Sequence, residues 1–246
     1  ALAQETYERI KHLMPNARLL LLHSAMKRGK RNEIESMLHK LNGEPYGCIL
    51  VSTQVVEVSL DINFDCMYTD CADICSLIQR FGRVNRYRRN DGITKDVYII
   101  RHSDKTYLPY AKDIVDSTLH VFERINDCII DESEIQSMID FVHPQDKVLN
   151  VDCCRPFDKN GNFRKKKYSN YQGSLSGFLE NYLEFESYIG IVGSDMIQYE
   201  MCYDKNLEIP LSKYDIRGYN FKESKIFDNV YEIPNSMYDN DLGFIK

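Results

Sequence analysis

The stretch from Arg18 to Ser52 reads RLLLLHSAMKRGKRNEIESMLHKLNGEPYGCILVS, with two apolar runs on either side of an amphipathic segment. The first run, Arg18–His23, is rich in leucine, which is typical of a strand buried on both faces of a sheet. The middle segment, Arg28–Leu41, carries apolar residues at helical spacing and precedes the helix stop Asn42-Gly43. The last run, Tyr46–Ser52, again has the pattern of a strand. A strand, a helix and a strand in this order indicate a parallel βαβ unit.

The same alternation extends over the first hundred residues. A helix is predicted at Gln4–Met14, strands at Asp65–Asp70 and Asp96–Arg101, and a further helix at Ile74–Asn85. The predicted fold class is therefore α/β, a parallel sheet flanked by helices.

After His102 the pattern changes to helices, with a long one at Tyr107–Ile125 and a second near Ser133. Aromatic residues among turns in the last sixty positions predict a small mixed α+β region. We divide the chain into an α/β lobe at 1–104, a mostly helical linker at 105–150 and a small C-terminal region at 151–246.

The charge and the apolar content limit the classes of function. The 246 residues contain 31 basic and 37 acidic side chains, a net charge of −6, which argues against coating of nucleic acid by the whole surface. Basic residues are concentrated at 27–31, 86–89 and 164–167, which leaves local contacts possible. No apolar run reaches 18 residues, no signal peptide opens the chain, and the eight cysteines lack the spacing of a disulfide framework. We expect a cytoplasmic protein that does not associate with membranes.

The segment SLIQRFGRVNR, residues 76–86, carries the clearest chemical signal. On a continuous helix, the four- and three-residue spacings of Gln79, Arg83 and Arg86 place all three on one face. Guanidinium groups match phosphate oxygens, and a glutamine amide can orient water or detect a γ-phosphate. Because Gly82 has no side chain, another group can approach the backbone closely there, or the helix can pack tightly. The pattern indicates a phosphate site, and the alternative is an ordinary helix with surface salt bridges.

The preceding segment, residues 49–62, reads ILVSTQVVEVSLDI. It begins with an apolar strand, whose carboxyl end carries the hydroxyl groups of Ser52 and Thr53. Ligands of open α/β sheets bind at the carboxyl ends of the strands. Asp61 can return to this edge as an acceptor for a ribose hydroxyl.

Together, TQVVEVSLDI at 53–62 and SLIQRFGRVNR resemble motifs V and VI of the superfamily 2 helicases. The residues of these two motifs are most similar to those of the CRISPR-associated helicase-nucleases of type I interference systems, because most other superfamily members have Gly and His at the positions of Ser59 and Gln79. The run LLHS, ending at Ser24, is also similar to this family. Ala25 departs from the pattern, since an arginine is expected there.

This resemblance implies the second RecA-like lobe of a helicase, followed by the linker and the start of the C-terminal region. It implies that Arg83 and Arg86 are arginine fingers and that Gln79 detects the γ-phosphate. The residues implied at the nucleotide are Asp61, Glu57 and Gly82, and those implied at single-stranded DNA are His23, Ser24, Thr53 and Gln54. For His23, the residues alone leave a hydrogen-bonded core histidine equally open.

The sequence contains no G-x-x-x-x-G-K-[ST] motif, so we expect ATP and Mg²⁺ to be bound through an N-terminal helicase lobe. An apolar run that ends in Asp131-Glu132 resembles the acidic box of an ATPase. It follows the QRFGR helix in the chain, whereas the acidic box of the family lies before that helix. A capping box formed by Ser133 and Gln136 is the preferred interpretation. No metal site is predicted, and Cys66, Cys71 and Cys75 are expected to be buried thiols.

The implied function is part of an ATP-dependent single-stranded-DNA translocase in CRISPR antiviral defence. The implied partners are the N-terminal lobe and nuclease domain of the same protein and the CRISPR RNA-guided surveillance complex. A non-enzymatic truncated or split subunit that binds nucleic acid or a protein, and an RNA-acting helicase lobe, remain alternatives. We further expect an opening strand to be missing between the strands at Arg18–His23 and Cys48–Ser52. Residues 1–246 would then form no stable monomer unless an upstream polypeptide supplies that strand.

Overall fold

A computed structural model describes residues 2–41, 47–58, 61–86, 94–101, 107, 110–125, 129–144 and 188–245. The chain forms two compact units. The described residues of 1–60 and 173–246 form the first unit, and those of 61–172 form the second. The predicted boundaries at 104 and 150 remain predictions.

The first unit begins with the βαβ arrangement expected from the sequence. Its elements are α1 (Leu2–Leu13), β1 (Leu19–Leu22), α2 (Arg28–Leu41), β2 (Ile49–Ser52) and the short α3 (Val55–Val58). Strands β1 and β2 are parallel, in a register that runs from Leu19 opposite Ile49 to Leu22 opposite Ser52. A mixed α/β fold with small parallel sheets is thus confirmed.

The expectation of a missing strand between β1 and β2 is wrong. The two strands are hydrogen-bonded neighbours over four consecutive residue pairs, with Leu21 opposite Val51 in the middle of the ladder. Adjacent strands lie about 4.8 Å apart, which leaves no room for another strand between them. The apolar pattern identifies the strands but not their neighbours, and the predicted lack of a stable monomer loses its basis.

Residues 188–245 complete the first unit as the small α+β region predicted at the end of the chain. A four-stranded sheet has the order β6-β5-β8-β7, with β5 parallel to β8 and the outer pairs antiparallel, and β9 and β10 form a hairpin. The elements are β5 (Tyr188–Val192), α7 (Met196–Cys202), β6 (Ile209–Leu211), α8 (Lys213–Tyr219), β7 (Lys222–Glu223), β8 (Val230–Ile233), β9 (Tyr238–Asp239) and β10 (Gly243–Phe244). Buried side chains including Ile209, Ile233 and Phe244 form its core.

This C-terminal hairpin packs against the loop that follows β1. The Phe244 backbone N–H donates to the Ala25 carbonyl at 2.7 Å. The Gln4 side chain donates from α1 to the carbonyls of Leu242 and Phe244 at 2.7 and 3.0 Å. Gly243 reverses the chain at φ +77°, with the Ala25 carbonyl close by. The two ends of the chain are thus joined within one unit.

The second unit holds a separate pair of parallel strands, and the helix that carries Gln79. Its elements are β3 (Met67–Asp70), α4 (Ile74–Phe81), β4 (Val97–Ile100), α5 (Lys112–Arg124) and α6 (Ile135–Val142). Two side chains of α4, Ile74 and Leu77, are completely buried against residues of α5 and α6. This packing fixes the position of α4.

The acidic segment before α6 forms a capped 3₁₀ turn at 132–134, and the predicted capping box is wrong, because the N-cap of α6 makes no side-chain hydrogen bond. The Asp131 carboxylate accepts hydrogen bonds from the Ser133 backbone N–H at 2.9 Å and from its hydroxyl at 2.8 Å. Gln136 instead donates to Asp140, one turn along α6. Hydrogen bonds from Ser133 lower the pKa of Asp131, as expected for a capping carboxylate.

The helices in the described ranges are short. The longest, α2, has 14 residues, and no helix of the described chain is both long and apolar enough to cross a bilayer.

Candidate nucleotide and nucleic-acid site

Helix α4 ends before the two arginines of the QRFGR segment. The predicted helix to Asn85 is wrong, because α4 stops at Phe81 and Gly82 forms its C-cap, with an N–H that reaches back to Ile78 and Arg80. Tight turns follow, and Asn85 adopts a left-handed conformation at φ +53°, which asparagine tolerates better than most residues. The helical face proposed for Gln79, Arg83 and Arg86 therefore does not exist.

A short backbone bridge brings the arginines to a defined place instead. The Phe64 N–H donates to the Arg83 carbonyl at 2.8 Å, and the Asn85 N–H donates to the Phe64 carbonyl at 3.3 Å. The Arg86 N–H donates to the Asn63 side-chain oxygen at 2.6 Å. Residues 83–86 are thus held against the segment that begins at Asp61.

This contact places Asp61 beside the arginines. The Arg86 Nε atom lies 2.9 Å from an Asp61 carboxylate oxygen, and their side chains are 36% and 65% exposed. Desolvation and the neighbouring Arg86 charge lower the pKa of Arg83, while Asp61 raises it. The structure therefore unites Asp61, Arg83 and Arg86 in a partly exposed cluster that can exchange an internal carboxylate for an external anion.

Gln79 and Gly82 lie at the end of α4, before this cluster, and both are exposed. Arg80, between them, has a structural role that the sequence analysis missed. Its guanidinium donates to the Thr69 hydroxyl at 2.9 Å, the Asp70 carbonyl at 3.2 Å and the Tyr110 hydroxyl at 3.3 Å. Arg80 therefore joins α4 to the end of β3. The available signal for this role was that Arg80 lies on a different side of the helix from Gln79, about 100° away.

In the first unit, the residues predicted to contact DNA meet at one sheet edge. Ser24 follows β1, and Thr53 and Gln54 follow β2, so all three lie at the carboxyl ends of adjacent parallel strands. The Thr53 N–H donates to the Leu22 carbonyl at 3.3 Å, which extends the ladder to this edge. Ser24 and Gln54 are exposed, whereas Thr53 is half-buried.

Glu57, predicted at the nucleotide, belongs to this unit too. It is half-buried in α3, and its N–H donates to the Gln54 carbonyl at 3.0 Å. Ser59, which follows α3, lies outside the described residues.

His23 lies in the core. The residue is 5% exposed, and its Nδ1 atom accepts a hydrogen bond from the Ala25 N–H at 3.2 Å. Because Nδ1 is an acceptor, Nε2 carries the proton and donates to the Leu242 carbonyl at 2.9 Å. The geometry supports the structural interpretation of His23 rather than a DNA contact.

Two of the four basic residues at 27–31 form ion pairs with the C-terminal region. Lys27 lies 2.6 Å from Asp195, and Arg28 lies 3.0 Å from the buried carboxylate of Glu208. The Tyr199 hydroxyl also donates to Glu208, and desolvation, followed by this carboxylate, raises the pKa of Tyr199. Lys27 and Arg28 therefore contribute to the packing of the first unit. The track at 164–167 and residues 87–89 lie outside the described ranges.

The expectation of three buried thiols is wrong for two of them. Cys71 is buried, and desolvation raises its pKa to about 11, but Cys66 and Cys75 are exposed. Cys75 lies close to Asp73 and His143, a group that the sequence analysis missed. The Asp-x-Cys pair at a helix start was the available signal, but no spacing rule connects it to a histidine 68 positions later.

Known proteins share this sequence pattern. Residues 1–89 match the family model for the C-terminal part of the CRISPR-associated nuclease/helicase Cas3. A Cas3 nuclease/helicase of Methanothermobacter thermautotrophicus is 32% identical over 146 residues, which are 58% of this chain and 18% of that relative. The Cas3 endonuclease/helicase of Thermus thermophilus is 44% identical over 75 residues, 29% of this chain and 8% of that protein.

Solved structures share the fold. The crystal structure of T. fusca Cas3-AMPPNP matches 100% of this chain and 38% of that chain, with a TM-score of 0.67 and 18% identity. A chain of a structure described as "CRISPR RNA-guided surveillance complex, pre-nicking" matches 94% of this chain and 36% of its own length, with a TM-score of 0.56 and 19% identity.

The chain thus spans about a fifth of the length of the first two curated relatives and less than two fifths of these structures. This chain is therefore similar to the C-terminal region of the CRISPR-associated Cas3 nuclease/helicases, over a fraction of their length.

Proposed function

We propose that this chain supplies the arginine half of an ATP site and one part of a single-stranded-DNA track in a Cas3-type translocase. Arg83 and Arg86 act as arginine fingers, and Gln79 detects the γ-phosphate. Asp61, Glu57 and Gly82 line the nucleotide. Ser24, Thr53 and Gln54 contact the DNA backbone.

The observation that carries this proposal is the cluster of Asp61, Arg83 and Arg86 on a backbone fixed by hydrogen bonds. A preorganised guanidinium stabilises the charge that develops during phosphoryl transfer, and removing one lowers turnover by roughly 10³–10⁵. Asp61 holds Arg86 before the nucleotide arrives, and the exposed ion pair is weak enough to be exchanged for phosphate.

The sheet edge with Ser24, Thr53 and Gln54 supports the DNA contact. Hydroxyl, amide and backbone N–H groups bind phosphates without reading bases, which suits a protein that moves along any sequence. His23 supports this edge from inside and is not assigned a DNA contact.

ATP and Mg²⁺ need a second set of residues. The described cluster is cationic except for Asp61, so it fits phosphate oxygens rather than a metal ion. We assign Mg²⁺ and the inner phosphates to an N-terminal P-loop lobe. The T. fusca Cas3 structures with AMPPNP and ATP support ATP as the nucleotide, and the pre-nicking complex supports a surveillance complex as a partner. The nuclease/helicase description of the curated relatives supports a nuclease part.

An ATPase assay tests this division of the site. The chain alone should show no ATP hydrolysis above background with or without single-stranded DNA, because the P-loop is supplied elsewhere. The polypeptide that unites a P-loop lobe with this chain should show DNA-stimulated hydrolysis, lost when Arg86 is replaced by alanine. Turnover by the chain alone would contradict the proposal. A complete polypeptide that binds DNA without hydrolysis would favour the non-enzymatic alternative.

A further inference from the structure

Three side chains with different donor atoms meet where the start of α4 packs against the end of α6. Asp73 is the N-cap of α4, Cys75 lies in its first turn, and His143 is the C-cap of α6. One ligand atom from each residue lies within 4.8 Å of the other two. In the part of the chain that the structure describes, no other trio of histidine, cysteine, aspartate or glutamate is grouped in this way.

The orientation of Asp73 leaves one carboxylate oxygen directed at the group. Its Oδ1 atom accepts the Cys75 N–H at 2.8 Å and caps the helix. Its Oδ2 atom lies 2.8 Å from His143 Nε2. The helix itself thus fixes two of the three donors, and the packing of α6 on α4 fixes the third.

The spacing is close to that of a tetrahedral zinc site. Metal–ligand bonds of about 2.0 Å to nitrogen or oxygen and about 2.3 Å to sulfur separate the ligand atoms by about 3.3–3.6 Å. The trio has separations from 2.8 Å to at most 4.8 Å, so small side-chain rotations suffice. Asp73 is the common partner of the group, since it faces His143 and also interacts with the Cys75 thiol, whose pKa is raised by desolvation and then by this carboxylate.

We propose that Asp73, Cys75 and His143 bind one Zn²⁺ ion, with a water molecule as the fourth ligand. Nitrogen, sulfur and carboxylate oxygen are the ligands that zinc uses, and three protein ligands are typical of sites with an open position. The site is accessible, because the side chains of His143 and Asp73 are 37% and 20% exposed and Cys75 is also exposed. On binding, the Cys75 thiol loses its proton to solvent and the thiolate sulfur coordinates the ion.

The ion joins the first turn of α4 to the end of α6. Helix α4 carries Gln79 and leads into the arginine cluster, so zinc stabilises the element from which that cluster extends. Because a ligand that binds the folded state alone raises stability, Zn²⁺ should raise the melting temperature of the chain.

Titration of the 246-residue chain with Co²⁺, followed by competition with Zn²⁺, tests the site. Co²⁺ bound by a thiolate gives a sulfur-to-metal absorption band in the near ultraviolet, which we expect to saturate at one ion per chain. The band should disappear in Cys75→Ser and persist in Cys66→Ser and Cys202→Ser, two matched controls at exposed cysteines. His143→Ala should weaken Zn²⁺ binding about tenfold or more, since even residues behind the ligands have effects of that size.

Asp73→Asn separates the metal site from folding. Asparagine is as good an N-cap as aspartate, so this variant should keep the fold and the metal-free melting temperature but bind Zn²⁺ more weakly. The proposal is overturned if no sulfur band forms at stoichiometric Co²⁺, if the band survives Cys75→Ser, or if Zn²⁺ raises the melting temperature equally in Cys75→Ser.

Discussion

His23 and Ser24 are neighbours in the chain, yet their environments are opposite. His23 is buried and bonds to Ala25 and Leu242, so it joins the β1 edge to the C-terminal hairpin. Ser24 is exposed at the same edge. Within the same short motif, His23 therefore stabilises the fold, while Ser24 is exposed to solvent.

This difference predicts a separation of stability from DNA binding. His23→Ala should lower the free energy of unfolding by about 1–3 kcal/mol, because it leaves the Ala25 N–H without its acceptor and removes one of the two donors to the Leu242 carbonyl. Ser24→Ala should change stability by less than about 0.5 kcal/mol and weaken binding of single-stranded DNA. Chemical denaturation and fluorescence anisotropy measure the two effects. A stable His23→Ala protein with weakened DNA binding would instead make His23 a DNA contact.

The arginines show what residue spacing can and cannot establish. Their residue types indicated a phosphate site, and the structure places Arg83 and Arg86 together with Asp61. The spacing predicted a helix, but Gly82 ends it and Asn85 turns the chain. The glycine and asparagine were visible in the sequence, whereas their bridge to Asn63 and Phe64 is a tertiary contact that helical spacing does not predict.

At the scale of elements, strand and helix patterns were good guides. Helix α2 has the predicted bounds, and β1, β2, β3 and β4 lie within the predicted strands. Strand neighbours were not predictable, because β1 pairs directly with β2 through backbone groups that are the same in every residue. The predicted box at Ser133 does not form, because Asp131 caps a 3₁₀ turn at 132–134 and this turn leads directly into α6.

The C-terminal hairpin provides a test of how the first unit is held together. Gly243 has φ +77°, and a Cβ there would lie 2.6 Å from the Ala25 carbonyl oxygen and 3.0 Å from His23. Gly243→Ala should lower the free energy of unfolding by about 1–3 kcal/mol, through backbone strain and overpacking.

Gly218→Ala is the matched control. Gly218 lies inside α8 with no atom within 4 Å of an added Cβ, so this change should stabilise the chain by about 0.5–1 kcal/mol. Thermal and urea denaturation of both variants measures the difference. Equal stability of the two variants would mean that the hairpin does not pack on the β1 edge.

At the scale of the whole molecule, the predicted residues divide between the two units. The residues predicted to contact DNA and Glu57 belong to the first, and Asp61, Gln79 and the arginines belong to the second. The sequence contains no P-loop motif, so the proposed ATP site needs residues that this sequence does not contain. The proposed function therefore belongs to the assembled enzyme.

Steady-state kinetics of DNA-stimulated ATP hydrolysis by the polypeptide that unites a P-loop lobe with this chain tests the arginine fingers most directly. Arg86→Ala should lower kcat about a thousandfold or more while KM for ATP changes within about threefold, because the guanidinium acts on charge developed in the transition state. Arg124→Ala, an exposed arginine in the last turn of α5, should leave both constants unchanged. An unchanged kcat with a raised KM in Arg86→Ala would contradict the account, because Arg86 would then bind nucleotide without contributing to catalysis.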